Sequence, residues 1–195
     1  MKQKSPVDSQ KWLADLQQAD IGHSFDDGLA AILRVVASIH QHPVCLCSGV
    51  EVLPYVNWLR DGMSMSGRLI IHLAPEHREL DEMVQRQLDS DIRVASHYQD
   101  IRRFCADISQ HRIDLLVVDA GDDSNAGLAG LMSLLNQNAL SIVLAEKAIQ
   151  EILFERYSSD YFVAPISTGG QALMLARVGQ QHQLGRRRSR SNRPA

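Results

Sequence analysis

The chain alternates short, nearly continuous apolar runs with longer segments whose apolar residues recur every three or four positions. The first run, Val44-Cys45-Leu46-Cys47, lies between Pro43 and Ser48-Gly49 and reads as a strand covered on both faces. Val52 to Leu59 follows as a helix with Leu53, Val56 and Leu59 on one side, ended by Gly62. Arg68–Leu73 is a second buried strand. Ala74-Pro75-Glu76-His77-Arg78-Glu79 then opens a helix that runs to Leu88. Proline suits a first helical position, and Glu76 and Glu79 suit the positive end of the helix dipole. Strands are expected over Ile92–Ala95, Asp114–Asp119 and Leu140–Leu144, with helices over Ile101–Ile108, Ala126–Leu135 and Ala148–Tyr157. Tyr161–Ile166 and Ala172–Ala176 close the series, with Ser167-Thr168-Gly169-Gly170 between them.

Strands alternating with helices of this length form βαβ units and a mainly parallel sheet. The tight connection at 167–170 makes the last strand antiparallel to its neighbour. The predicted fold is therefore α/β, a Rossmann-like doubly wound sheet with a C-terminal antiparallel hairpin strand. Ligands of such sheets bind beyond the carboxyl ends of the strands, where the strand order reverses. That directs attention to 48–52, 72–76, 96–100 and 119–125.

Composition sharpens this picture without changing it. The 195 residues are 45% hydrophobic and 22% charged, as in a globular domain. No run approaches the roughly 18 apolar residues of a membrane span, so no membrane contact is expected. The N-terminus lacks the apolar core of a secretory signal. Three cysteines make no disulfide framework and fit a reducing cytoplasm. The net charge of −3 is unevenly spread: the last eleven residues hold five arginines and no acid, leaving a body with fifteen bases and twenty-three acids. The expected organisation is an N-terminal helical extension (1–21), a folded domain (22–178) and a disordered Arg-rich tail (179–195). The acidic body excludes nucleic-acid binding through the fold. The tail leaves a contact by charge alone open, with a solubilising end as the alternative.

Four segments carry a family resemblance. These are Ser24-Phe25 with the helix Gly28–Ile39, Cys47-Ser48-Gly49-Val50-Glu51-Val52 with Trp58–Met63, Leu73-Ala74-Pro75-Glu76-His77, and Asp114–Ala120. In this order and spacing the chain resembles the class I S-adenosylmethionine-dependent methyltransferases, nearest their catechol-methyltransferase-like O-methyltransferase branch. The resemblance implies S-adenosylmethionine as cofactor and a small-molecule substrate. It also implies cofactor contacts at Gly49, Glu51, His72, Tyr98, Gln99 and Asp119, and chemistry at Asp119 and Lys147. A second copy of the chain is a further expected partner. The rival reading is a non-catalytic interaction or regulatory module that keeps the fold.

The sequence also departs from the family pattern. One glycine, Gly49, remains in the first motif, and Val50, Val52 and Leu53 are expected to crowd the methionine half of the cofactor. His72 and Ala74 stand where the family has an acid for the ribose hydroxyls; a neutral histidine makes one such hydrogen bond. After the third strand, Gln99 is expected to accept from the adenine amino group and Tyr98 to stack. Asp119 and Glu146 match the acids of the family's metal site, but Lys147 falls where its Asn would be, and a protonated lysine cannot ligate Mg²⁺. No metal is expected, and Lys147 is expected to sit where the cation would, paired with Asp119 or Glu146. Asp119 is open to two readings, a catalytic carboxylate or a cap for the loop 121–125. Asp122 and Asp123 read as solvated loop acids, Ser124 as a helix cap, and His40 and His42 as linker residues. Cys45 and Cys47, two apart on a strand, share one face and read as core.

Overall fold

The structure, a computed structural model, describes residues 6–18, 21, 25–39, 43–88, 91–121, 125–166 and 172–177. The expected hairpin turn 167–170, the tail 179–195, and Ser24, His40, His42, Asp122, Asp123 and Ser124 lie outside them. In chain order come α1 (Pro6–Gln18), α2 (Asp27–Ile39), β1 (Val44–Ser48), a 3-10 helix (Val50–Tyr55), α3 (Val56–Gly62) and β2 (Arg68–Leu73). A second 3-10 helix (Pro75–Leu80), α4 (Asp81–Leu88), β3 (Val94–Tyr98), α5 (Ile101–Asp107) and β4 (Ile113–Asp119) follow. The chain continues with α6 (Asn125–Ser133), β5 (Leu135–Leu144), α7 (Lys147–Tyr157), β6 (Tyr161–Pro165) and β7 (Ala172–Arg177).

The strands form one seven-stranded sheet in the order β3-β2-β1-β4-β5-β7-β6. Strands β3 to β5 are mutually parallel, and β7 runs antiparallel to both β5 and β6. This is the mainly parallel, doubly wound sheet with an antiparallel C-terminal strand that the alternating pattern predicts. The order reverses between β1 and β4, so the crevice between their carboxyl ends is the switch point.

Period-two alternation along the strands divides the core into two layers. Cys45 and Cys47 of β1 face α1 to α4, where Trp12, Leu16, Leu33, Leu59 and Val84 are buried with them. Leu46 faces the opposite layer with Phe104 of α5, Leu128 and Leu131 of α6 and Leu153 of α7. The paired cysteines are therefore core residues. Burial first, then the Asp114 charge, pushes the Cys45 thiol up to about 12. Burial likewise raises Cys47 well above its ordinary value. The α1 segment belongs to the same core, and its Trp12 Nε1 donates to the Leu53 carbonyl at 3.0 Å.

Several element limits differ from the sequence reading. The helix expected over Val52–Leu59 is split, with Pro54 inside the 3-10 part. Proline lacks the N–H that an α-helical ladder needs there. Strand β3 starts at Val94 and runs to Tyr98, so Ser96, His97 and Tyr98 are sheet residues rather than loop. The preceding Ile92 is fully exposed. Strand β5 begins five residues earlier than expected because Leu135 pairs with Ile113 ahead of a bulge. Asp114 binds these strands together, accepting from Asn136 Nδ2 and from the Val44 N–H.

Helix α3 packs on α2 through Gly62, where an added Cβ would lie 2.1 Å from the Arg34 carbonyl oxygen. Replacing a helix glycine by alanine ordinarily stabilises by about 0.5–1 kcal/mol. At this contact the sign reverses: Gly62→Ala is expected to cost about 1–3 kcal/mol, the range for overpacking. The urea unfolding midpoint of the purified variant checks this.

Candidate functional site

The switch point is built by two strand ends. Strand β1 delivers Ser48 and then turns at Gly49, which has φ 103°, a conformation that L side chains rarely adopt. The missing Cβ also has a packing reason, since a carbon added there would lie 2.6 Å from Cβ of Asp119 on β4. The two strand ends are thus pressed together at one residue each. Beyond the turn, the 3-10 helix brings the Glu51 N–H to the Asp119 carboxylate, which also accepts from the Gly121 N–H. Gly49, Glu51 and Asp119, all expected site residues, meet here.

Asp119 is partly buried. Desolvation first, then the nearby Glu51 charge, raises its pKa, and the two backbone donors partly oppose this. Lys147 does not compensate the charge. It is exposed at the start of α7 and forms no ion pair with Asp119, correcting the expected partnership. The strand end fixes Asp119 at the crevice, whereas the first turn of α7 leaves a long side chain in solvent. Backbone donors, not a lysine, hold Asp119, so the capping interaction and the crevice position coexist. Val52 and Leu53 do not crowd the crevice as expected. The 3-10 helix turns them into the core, where they are buried, and Val50 packs partly against the same core.

The ends of β2 and β3 are arranged differently. His72 is 5% exposed and its ring stacks on Phe104 of α5 with centroids 4.3 Å apart. Its Nε2 lies 2.9 Å from the Gln99 carbonyl, an acceptor only, so Nε2 carries the proton. Its Nδ1 then accepts from Ser48 Oγ at 2.8 Å. Burial lowers its pKa, which keeps the ring neutral. With both nitrogens engaged, the single ribose hydrogen bond expected of His72 has no atom to make it. Tyr98 packs against the core on the α4 side and its hydroxyl is buried with no hydrogen-bond partner. Burial first, then the charge of Asp81, raises its pKa. The Gln99 amide donates to Asp107 Oδ2 at 3.2 Å, away from the role expected of it. Strand-end position was legible for these residues. What the sequence reading missed was Ser48, whose hydroxyl completes the clip across β1, β2 and the β3 end; a polar residue ending an apolar run was the available signal. Among the described residues no group of three or more His, Cys, Asp and Glu side chains is placed to hold a metal ion.

Two outcomes follow from the Gly49–Asp119 contact. Gly49→Ala is expected to destabilise by about 2–4 kcal/mol, combining left-handed backbone strain with overpacking. Adding Asp119→Gly should relieve part of it, giving a coupling of about 1 kcal/mol in a double-mutant cycle; strict additivity would show that the contact is not the cause. The raised Asp119 pKa means the folded state binds its proton more tightly than the unfolded chain. Stability from this group is therefore full below its ordinary value of 3.8 and falls as pH rises through the window above that value. Unfolding measured from pH 3 upward, as the difference between the wild type and Asp119→Asn, should show that fall.

No protein-family model matches the sequence, and no curated protein sequence matches it. Solved structures do match in shape. A methyltransferase from Geobacter sulfurreducens superposes with TM-score 0.69 at 18% identity over 92% of each chain. The O-methyltransferase of Bacillus cereus, solved with S-adenosylhomocysteine, gives 0.72 at 15% identity over 90% of this chain and 92% of that one. The O-methyltransferase TomG of Streptomyces achromogenes, solved with S-adenosylmethionine, gives 0.73 at 17% identity over 90% and 91%. Near-complete overlap at these TM-scores shows that the chain has the Rossmann-like methyltransferase fold.

Proposed function

We propose that this chain is an S-adenosylmethionine-dependent, O-methyltransferase-like protein acting on a small molecule, with its cofactor held weakly at the β1–β4 crevice. One observation carries the reading: Gly49, Glu51 and Asp119 meet at the switch point of the sheet. The S-adenosylhomocysteine and S-adenosylmethionine complexes of the Bacillus and Streptomyces proteins support it by sharing this sheet. The fit is uneven. Glu51 and Asp119 suit the positive charges of the cofactor's methionine end, whereas His72, Tyr98 and Gln99 are engaged within the protein. When bound, the cofactor supplies an electrophilic methyl group.

The chain's own contribution is positioning. Asp119, fixed by its strand and by two backbone donors, orients a substrate hydroxyl or accepts its proton. Its raised pKa makes it a stronger base than an ordinary aspartate. Lys147, exposed in the first turn of α7 after the neighbouring strand β5, is the second polar group offered to a substrate. The second reading, a non-catalytic module, is favoured by the internal hydrogen bonds of His72.

Titration calorimetry with S-adenosylhomocysteine separates the two. Losing one charge-assisted hydrogen bond costs about 1.5–3 kcal/mol, or roughly ten- to a hundredfold in affinity, so binding in about the micromolar range is expected. Nanomolar binding contradicts the weakened site, and the absence of binding favours the module. Asp119→Asn should abolish any methyl transfer while costing at most about 1–2 kcal/mol of stability, the range for a lost cap.

A further inference from the structure

We propose that the outer face of α2 is a docking surface for a second copy of this chain, packed as an antiparallel helix pair across a twofold axis. Helix α2 is apolar on more than one side. Leu29, Ala30, Leu33 and Ala37 are buried in the core. Ile32, Val35 and Ile39 form a second stripe, at spacings of three and four, and are 38%, 60% and 71% exposed. On one flank the half-buried Val36 joins this stripe to the core. The polar residues Asp27, Arg34 and Ser38, at spacings of seven and four, are confined to a narrow strip on the other flank. A helix ringed this widely by apolar residues is ordinarily covered on both sides, yet the described residues leave the stripe open. The other exposed apolar side chains make no such face. On α7, Ile152 and Phe154 are interspersed with the exposed Glu151, Glu155 and Arg156, and Phe162 is the one large exposed apolar residue of the edge strand β6.

A second copy fits this face by shape, charge and area. A twofold contact is self-complementary, because the same patch serves both partners. With the axis at Val35, Ile32 of one copy meets Ile39 of the other, and Val35 meets its own counterpart. Ala31 and Ser38 beside Val35 are small enough to let the helices approach to the roughly 8–10 Å of packed pairs. The stripe holds no charged residue, and antiparallel pairing sets the two exposed Asp27 carboxylates at opposite ends, so two acidic chains meet without opposing acids. The exposed parts of Ile32, Val35 and Ile39 come to roughly 300 Å², a size at which a patch on a monomer is often functional. Met65, 71% exposed, extends it. Its loop is tied to the same end of α2, with Gly62 against the Arg34 carbonyl and Gly67 against Pro43. With Asp27, Ala31 and Ser38 around them, these residues reach the roughly 600 Å² per partner of the smallest stable interfaces. This contact does not depend on what the β1–β4 crevice binds.

Sedimentation equilibrium of the full chain over a concentration series is the test. A monomer–dimer equilibrium with a dissociation constant in about the micromolar range is expected, the strength of a small apolar interface. Val35→Glu and Ile39→Glu should each weaken it at least about thirtyfold, because each buries two carboxylates in the contact. Both positions are exposed in the single chain, so the unfolding midpoint at dilute concentration should hold. Phe162→Glu should leave the equilibrium unchanged. Cross-linking gives a second readout that needs no dimer-breaking variant: Val35→Cys oxidised with diamide should form a covalent dimer at concentrations where Phe162→Cys does not. A chain that stays monomeric to about 1 mM overturns the proposal, whether another segment of the chain or a different partner covers the stripe. A dimer that persists in both glutamate variants, or is lost in Phe162→Glu instead, overturns it as well. So does a failure of Val35→Cys to cross-link where the wild type is dimeric.

Discussion

The carboxyl end of the sheet is organised around the approach of Gly49 to Asp119. Strands β1 and β4 are in register from Cys45 opposite Leu115 to Ser48 opposite Val118. Their next residues arrive side by side, with no room between them for a Cβ on Gly49. The positive φ at Gly49 then directs the chain into a 3-10 helix whose first turn presents the Glu51 N–H to Asp119. Position, hydrogen bonding and desolvation of the carboxylate all follow from this one contact. It also decides where Val52 and Leu53 go, because the helix it starts rolls them under the crevice and into the core.

The two sides of the switch point differ in how their polar groups are satisfied. At the β2 end, the buried His72 is matched within the protein, as burial demands: its ring is neutral, stacked and bonded at both nitrogens. At the β1 and β4 ends a carboxylate is desolvated beside another, and backbone N–H groups offset only part of the cost. The first arrangement holds strands together. The second leaves Asp119 with a raised pKa, from burial first and the Glu51 charge second.

The sheet was legible because its signals are local. Apolar runs such as Leu115–Val118, turn residues and the proline after Ala74 report their own surroundings. Asp119 was legible for the same reason, as a charge ending the most apolar strand. The misread features depend on distant partners. The neutral, doubly bonded state of His72 needs Ser48, 24 residues away, and Gln99, 27 away. The early start of β5 needs Ile113 and Asp114 beside it. Lys147 adjoins Glu146 in sequence and Asp119 by strand order, yet the first turn of α7 leaves it in solvent. Valines and a leucine after a lone glycine suggested a blocked crevice, because sequence alone does not say which way a 3-10 helix turns its side chains.

A crystal structure of the chain with S-adenosylhomocysteine would show whether the β1–β4 crevice holds the ligand. Ligand density is expected between the ends of β1 and β4, beside Gly49 and Asp119, with His72 still bonded to Ser48 and Gln99. Density placing the ribose hydroxyls on a freed His72, or a ligand seated away from Gly49 and Asp119, would contradict it.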